Sequence, residues 1–222
     1  MAPLTLVIGN KNYSSWSLRP WLAMKHFGLD FKEVCIPLYT PESPEKLRQF
    51  SPSGKVPVLI DDTLTVWDSL AICEYLAIAF PTFHWWPKDK NAQAVARSIS
   101  AEMHSGFPNL RQQMPMNCRA RFPGIGMTPE VQKDIDRIST IWRDCRQNST
   151  SGSMLFGDFT IADAMFAPVV LRFITYDVKL DQDLRTYAEA ILGLKAMQEW
   201  LKAAESELET IPEYEFDSRQ PK

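Results

Sequence analysis

Ser51-Pro-Ser-Gly-Lys-Val-Pro57 runs directly into Val58-Leu-Ile60, and Val66-Trp-Asp-Ser69 follows shortly after. Proline has no N–H and cannot donate to a sheet ladder, so Pro57 fits the first residue of a strand or a sheet edge. Gly54 marks the turn before it. Val58-Leu-Ile60 reads as a buried strand, Asp61-Asp62 turns the chain, and Leu64-Thr-Val66 makes a second strand, so 58–66 predicts a hairpin. Asp68-Ser69 then caps Leu70-Ala-Ile-Cys-Glu-Tyr-Leu-Ala77, whose apolar residues recur at helical spacing.

Upstream, Leu4–Ile8 reads as a compact buried strand and Gly9–Asn12 as a turn-rich loop. Tyr13-Ser-Ser-Trp-Ser17 leads into a helix over Leu18–Phe27, with Pro20 in its first turn and Gly28 ending it. Phe31–Leu38 predicts a second strand and Glu45–Phe50 a short helical turn. Strand, helix, strand, short helix, hairpin and helix thus fill residues 4–80. A βαβ unit of this kind has a right-handed crossover and a parallel strand pair, to which the hairpin adds an antiparallel edge.

Downstream, Pro81–Asn91 is a connector rich in proline and tryptophan, and strand signals then disappear. Helices are predicted over Ala92–Gln113, Pro129–Gln147, Ile161–Thr175, Leu184–Leu192 and Leu194–Glu207. Phe122–Gly126 and Asn148–Ser153 break the run. Thr160-Ile-Ala-Asp163 has the form of a capping box, with Asp in place of Glu. The tail after Pro212 is polar, and is expected to wrap loosely over the surface or fray.

At 222 residues the chain is long enough to bury a real core as one or two domains. Hydrophobic residues at 45% and charged residues at 23% suit a soluble globular protein. A net charge of −3 supplies no electrostatic argument for nucleic acid or an anionic membrane. Four scattered cysteines, Cys35, Cys73, Cys118 and Cys145, lack the spacing of a metal site or a redox pair. No metal is expected. Met-Ala-Pro has neither the charge nor the apolar run of a signal peptide, and the apolar stretch near Ala71–Phe80 is too short to span a bilayer. A cytoplasmic location is the default expectation.

A Val-Pro step and an acidic-Ser pair, eleven residues apart across a hairpin, resemble the glutathione-binding half of cytosolic glutathione transferases, nearest the serine-type zeta and tau classes. Trp86-Pro-Lys-Asp89 with Arg97 is similar to that family's linker, and Gly157-Asp158 before Thr160-Ile-Ala-Asp163 to its buried helical-domain signature. The resemblance implies an α/β N-terminal thioredoxin-like domain (1–80), a linker (81–91) and an all-α C-terminal domain (92–222), the glutathione transferase fold. It also implies a cis peptide bond at Val56-Pro57 that turns the Val56 backbone toward the cysteinyl group of glutathione, the co-substrate. Ser69 and its helix N-terminus would take the γ-glutamyl carboxylate, and Asp68 the ammonium. Lys55 either pairs with the glycine carboxylate or is solvated. A homodimer built on Leu70–Phe80 and Ala92–Gln113 is implied as well.

A thiol of pKa about 8.5 is mostly protonated at neutral pH, yet the thiolate is the nucleophile. Lowering that pKa by about two units takes about 2.7 kcal/mol of preferential thiolate stabilisation, within reach of a hydroxyl donor plus a helix N-terminus. Ser14-Ser-Trp-Ser-Leu-Arg19 resembles the Ser-Ser-Cys-Ser-Trp-Arg segment of zeta-class enzymes, which assigns the donor role to Ser14. Tyr13 and Ser15 remain rivals, and Ser17 reads as a helix cap. Trp16 stands where that class has its cysteine. The zeta isomerase's substrate arginine corresponds to Thr175; Arg172, nearly one turn earlier, could substitute, although a solvated or ion-paired arginine is the commoner outcome. A hydrophobic electrophile is expected in a pocket lined by Tyr13, Trp16, Met103, Phe107 and Leu110, and His104 is read as a surface or core histidine. Competing functions are a non-catalytic ligand-binding protein of the same fold and a glutathione-dependent isomerase or peroxidase.

Overall fold

The computed structural model describes residues 3–149 and 152–216. A four-stranded sheet has the order β2-β1-β3-β4, with β1 (Leu4–Ile8) and β2 (Phe31–Cys35) parallel. β3 (Val58–Asp61) lies antiparallel to β1, and β4 (Leu64–Trp67) antiparallel to β3, so the predicted hairpin forms the far edge. Alternation along β1 sorts its side chains between two faces. Leu6 and Ile8 enter the main core, whereas Val7 joins a smaller cluster with Ile36, Leu47 and Val58. Helix α1 (Ser15–His26) is the crossover between β1 and β2 and covers the main-core face with α3 (Ser69–Ala79), while α2 (Ser43–Arg48) supplies Leu47 to the other face.

Six further helices follow among the described residues: α4 (Lys90–Ser105), α5 (Pro108–Gln113), α6 (Pro129–Gln147), α7 (Ile161–Thr175), α8 (Gln182–Leu192) and α9 (Lys195–Glu205). Helix α7 is apolar nearly all round and buried along almost its whole length, as a helix at the centre of a bundle must be. It packs on α1 and α4, so one hydrophobic core runs through the sheet layer and the helices. Trp21 of α1 and Trp200 of α9 meet edge to face at 5.0 Å across the same junction.

Three expectations change. The helix predicted over Ala92–Gln113 is two helices, because Phe107 adopts a left-handed conformation (φ 58°) immediately before Pro108. Gly106 permits the break: a Cβ there would meet the Glu102 carbonyl oxygen at 2.7 Å. The strand predicted to Leu38 stops at Cys35, since the Leu38 N–H turns away to the Asn10 side chain at 2.7 Å. The tail does not fray as far as Phe216. A 3-10 turn at Pro212–Tyr214 is held by Asn117, which donates to the Tyr214 carbonyl (3.2 Å) and to Glu215 Oε1 (2.9 Å). Met1 and Ala2, Thr150 and Ser151 of the predicted loop, and tail residues 217–222 lie outside the described residues. No helix among the described residues is long and apolar enough to cross a membrane.

Candidate active site

A cavity of about 590 Å³ opens where the start of α1, the loop before α2 and the turn at Gly54–Val56 face α5, α7 and the C-terminal tail. Ser14, at its wall, is the N-cap of α1. Its Oγ accepts weakly from the Ser17 N–H (3.4 Å) and donates to the Ser17 Oγ at 2.7 Å. The buried Ser17 is therefore not the cap expected of it. It lies three residues inside the helix, where its Oγ also accepts the Gly9 N–H at 3.1 Å.

The Val56-Pro57 peptide bond is cis. Lys55 and Val56 line the cavity, and neither the N–H nor the C=O of Val56 is hydrogen-bonded among the described residues. That leaves a free peptide edge of the kind an extended ligand pairs with. Pro57 is buried behind it. Asp68 caps α3 from a left-handed backbone (φ 76°), and its Oδ1 accepts the N–H groups of Leu70 (2.9 Å) and Ala71 (3.2 Å). Its Oδ2 meets His104 Nε2 at 2.6 Å, so His104 is an inter-helix tether from α4 to the start of α3. Ser69 is 1% exposed and its hydroxyl has no partner. Asp68 and Ser69 sit outside the main cavity's walls.

The opposite wall is cationic. Arg19, Arg111 and Arg172 all line the cavity, and none forms an ion pair among the described residues. The Arg19 and Arg111 guanidinium carbons lie 4.2 and 4.7 Å from the Trp16 ring centroid, a cation–π arrangement that disperses part of their charge. Arg19 donates Nε–H to the Met165 carbonyl at 3.2 Å, and its buried Nη1 has no partner. Arg111 donates to the carbonyls of Met103 and His104. Arg172 donates from Nε to the Met114 carbonyl (2.8 Å) and from Nη2 to Ser15 Oγ (3.3 Å). Burial, and then repulsion from Arg111, pushes Arg172 down to about 10, and Arg19 is lowered for the same reasons. The expectation of a solvated or ion-paired Arg172 is overturned: it is 5% exposed and bound only to neutral groups. Thr175 is instead tied to the carbonyls of Asn117 and Leu171.

The tail closes one end. Glu207 accepts the N–H groups of Lys11 (2.5 Å) and Asn12 (2.9 Å), and Tyr214 stands at the cavity with its hydroxyl 3.1 Å from that of Tyr39. Tyr13 is consumed by this strap. Its hydroxyl donates to Glu215 Oε1 at 2.5 Å and accepts from Arg119 Nη2 (3.0 Å) and the Ile211 N–H (3.3 Å). A phenol with its one proton so placed is a poor candidate for a thiol donor.

Residues 13–78 match the family described as Glutathione S-transferase, N-terminal domain. A probable maleylacetoacetate isomerase of Caenorhabditis elegans is 32% identical over 160 residues, 70% of this chain and 72% of that protein. The maleylacetoacetate isomerase of Rattus norvegicus is 30% identical over 190 residues, 83% of this chain and 85% of that protein. This chain belongs to the glutathione S-transferase family. Among solved structures, a Burkholderia glutathione transferase homolog with bound glutathione superposes with a TM-score of 0.71 at 24% identity, covering 92% of this chain and all of that one (100%). A bacterial zeta-class maleyl pyruvate isomerase gives 0.70 at 20% identity, covering 90% and 97%. Both likenesses concern the fold.

The structure gathers Ser14, Lys55, Val56, Tyr13 and Trp16 around one cavity. Met103, Phe107 and Leu110 do not join them: they are packed in the core, and α5 presents Arg111 to the cavity in their place. Leu38, Met116 and Tyr214 provide apolar wall that the sequence reading did not name. No cysteine lines the cavity, and burial pushes Cys73 and Cys118 up to about 12, so neither is a competing nucleophile.

Proposed function

We propose that this protein is a glutathione-dependent enzyme that ionises the glutathione thiol beside Ser14 and adds it to an electrophile bearing a carboxylate. Three guanidiniums without a carboxylate partner, beside an N-capping serine, carry the reading. Glutathione would lie along the free Val56 peptide edge, with Lys55 near its glycine end and Asp68 and the unpartnered Ser69 hydroxyl toward its γ-glutamyl end. Residues 1–80 would form the glutathione-binding unit, 81–91 the linker and 92–222 the helical unit. The thiolate forms a C–S bond to the electrophilic carbon. Where that carbon belongs to a C=C conjugated with a carbonyl, the π pair moves onto the carbonyl oxygen as an enolate, the resulting single bond rotates, and return of the pair expels the thiolate to give glutathione and an isomerised double bond. The naming of two relatives as maleylacetoacetate isomerases favours that course. The apolar walls from Trp16, Leu38 and Met116 favour a second reading, transfer to hydrophobic electrophiles.

Assaying a cis-unsaturated keto acid beside a neutral aryl halide separates the readings. The first predicts cis-to-trans conversion without net loss of glutathione, the second consumption of glutathione by the halide. A non-catalytic binding protein would turn over neither. Ser14→Ala should raise the pKa of bound glutathione and lower turnover at neutral pH by at least about tenfold, the worth of one hydrogen bond to a charged group, with little change in glutathione affinity. Loss of turnover in Ser15→Ala but not in Ser14→Ala would overturn the assignment.

We also propose a homodimer, supported by the apolar groups Ile78 (79% exposed), Val95 (47%) and Trp67 (47%) on α3, α4 and β4. Sedimentation at micromolar concentration should give twice the chain mass of 25.4 kDa. A monomer mass would refute the dimer.

A further inference from the structure

Ser17 is 0% exposed, inside the first turn of α1, and its hydroxyl joins two structural elements. Its Oγ accepts the Gly9 N–H from the end of β1 at 3.1 Å and the Ser14 hydroxyl at 2.7 Å. The Ser14 proton thus already has an acceptor. To donate to a thiolate, Ser14 must turn its O–H away from Ser17 and toward the sulfur. Its oxygen then faces the Ser17 oxygen with no proton between them, unless Ser17 supplies one.

We propose that Ser17 is the positioning residue for the thiol donor. When Ser14 donates to sulfur, Ser17 rotates its own O–H onto Ser14 Oγ and keeps the Gly9 N–H as its fixed donor. The result is a chain from Gly9 N–H to Ser17 O–H to Ser14 O–H to the thiolate, in which every donor points toward the negative charge. Hydrogen bonds in such a series polarise one another, each strengthening the next by about 10–30%. The thiol proton leaves to solvent, and no serine is deprotonated. Anchoring at the end of β1 also fixes the Ser14 rotamer, because Ser17 is a helical residue whose partner, Gly9, directly follows that strand.

This inference rests on Ser14 as the thiol donor, so its test must distinguish the two. The pKa of glutathione bound to the whole protein is read from ultraviolet thiolate absorbance against pH for the parent, Ser14→Ala, Ser17→Ala and the double variant. Lys55, Arg19, Arg111, Arg172, Tyr13, Tyr39 and Tyr214 face the same cavity and remain in all four, so their field is a common background. Ser17→Ala should raise the bound thiol's pKa by about half a unit to one unit, with the rate restored at high pH and glutathione affinity unchanged. In the Ser14→Ala background, Ser17→Ala should add no further shift. Ser17→Thr, which keeps a hydroxyl, should recover most of the parent value, and it remains informative if Ser17→Ala folds poorly. If Ser14→Ala shifts the pKa and Ser17→Ala does not, or the two shifts add, the relay is wrong while the donor stands. If Ser14→Ala causes no shift, the donor assignment itself fails.

Discussion

Arg172→Met should lower turnover of an acidic electrophile by about one to two orders of magnitude, while a neutral aryl halide loses less than about tenfold. A charge-assisted hydrogen bond contributes about 1.5–3 kcal/mol, and a fully desolvated pair more when one partner is removed. At about 1.4 kcal/mol per decade, that range sets the expected loss. Arg172 has the means to bind a carboxylate in this way. Two of its nitrogens are committed to Met114 and Ser15, and Nη1 has no protein partner among the described residues. Burial, and then repulsion from Arg111, lowers its pKa, so an anion that relieves the repulsion gains more than it would from a lone arginine.

The same experiment separates the electrophile from glutathione, which also carries carboxylates. If Arg172 serves the electrophile, the KM for glutathione should stay within about threefold of the parent's, below 1 kcal/mol. Arg172→Lys should recover only part of the loss, because an ammonium keeps the charge but not the planar fork that matches a carboxylate. Equal losses for acidic and neutral electrophiles, or a large rise in the KM for glutathione, would sink the assignment.

The sheet and the main helices were legible because local chemistry decides them. Pro57, Gly54 and the Asp68–Ser69 cap each act within a few residues, and the hairpin and α3 stand where those residues place them. Ser14 was legible only through the family resemblance: local chemistry alone starts the helix at Leu18 with Ser17 as its cap, whereas α1 opens at Ser15 with Ser14 as its N-cap. Arg172 was not. Its partners Met114 and Ser15 are 58 and 157 residues away along the chain, and an arginine's usual fate is a solvated surface. Nor does helical spacing tell a pocket wall from a core: Met103, Phe107 and Leu110 have the apolar character of both, and tertiary packing took them inside. The Phe107-Pro108 step did carry a readable signal, since a residue before proline avoids the right-handed helical region. The start of the tail wraps as expected but is held rather than loose, because Glu215, which looks solvated in sequence, is spent on the hydroxyl of Tyr13, as Glu207 before it is on the backbone of the 11–12 loop.

Asp163→Ala should destabilise the fold by about 2–4 kcal/mol at pH 7, and the cost should grow on acidification. The carboxylate is 0% exposed at the start of α7. Its Oδ1 accepts the Leu155 N–H (3.0 Å), and its Oδ2 accepts the Thr160 N–H (2.8 Å) and hydroxyl (3.1 Å). Removing it orphans two buried backbone donors, each costing about 1–3 kcal/mol, although relief of a buried charge offsets part of this. Burial outweighs those hydrogen bonds and pushes the Asp163 pKa up to about 6. A group whose folded pKa lies above its unfolded value of about 3.9 contributes stability that is full below pH 3.9 and lost as pH rises through 6. Between pH 7 and pH 5 the parent should therefore gain about 1.4 kcal/mol from this residue, and the alanine variant none of it. Urea unfolding of both proteins at the two pH values measures the difference directly. A cost that shrinks toward pH 5 would mean the opposite shift, a carboxylate stabilised by its donors more than it is penalised by burial.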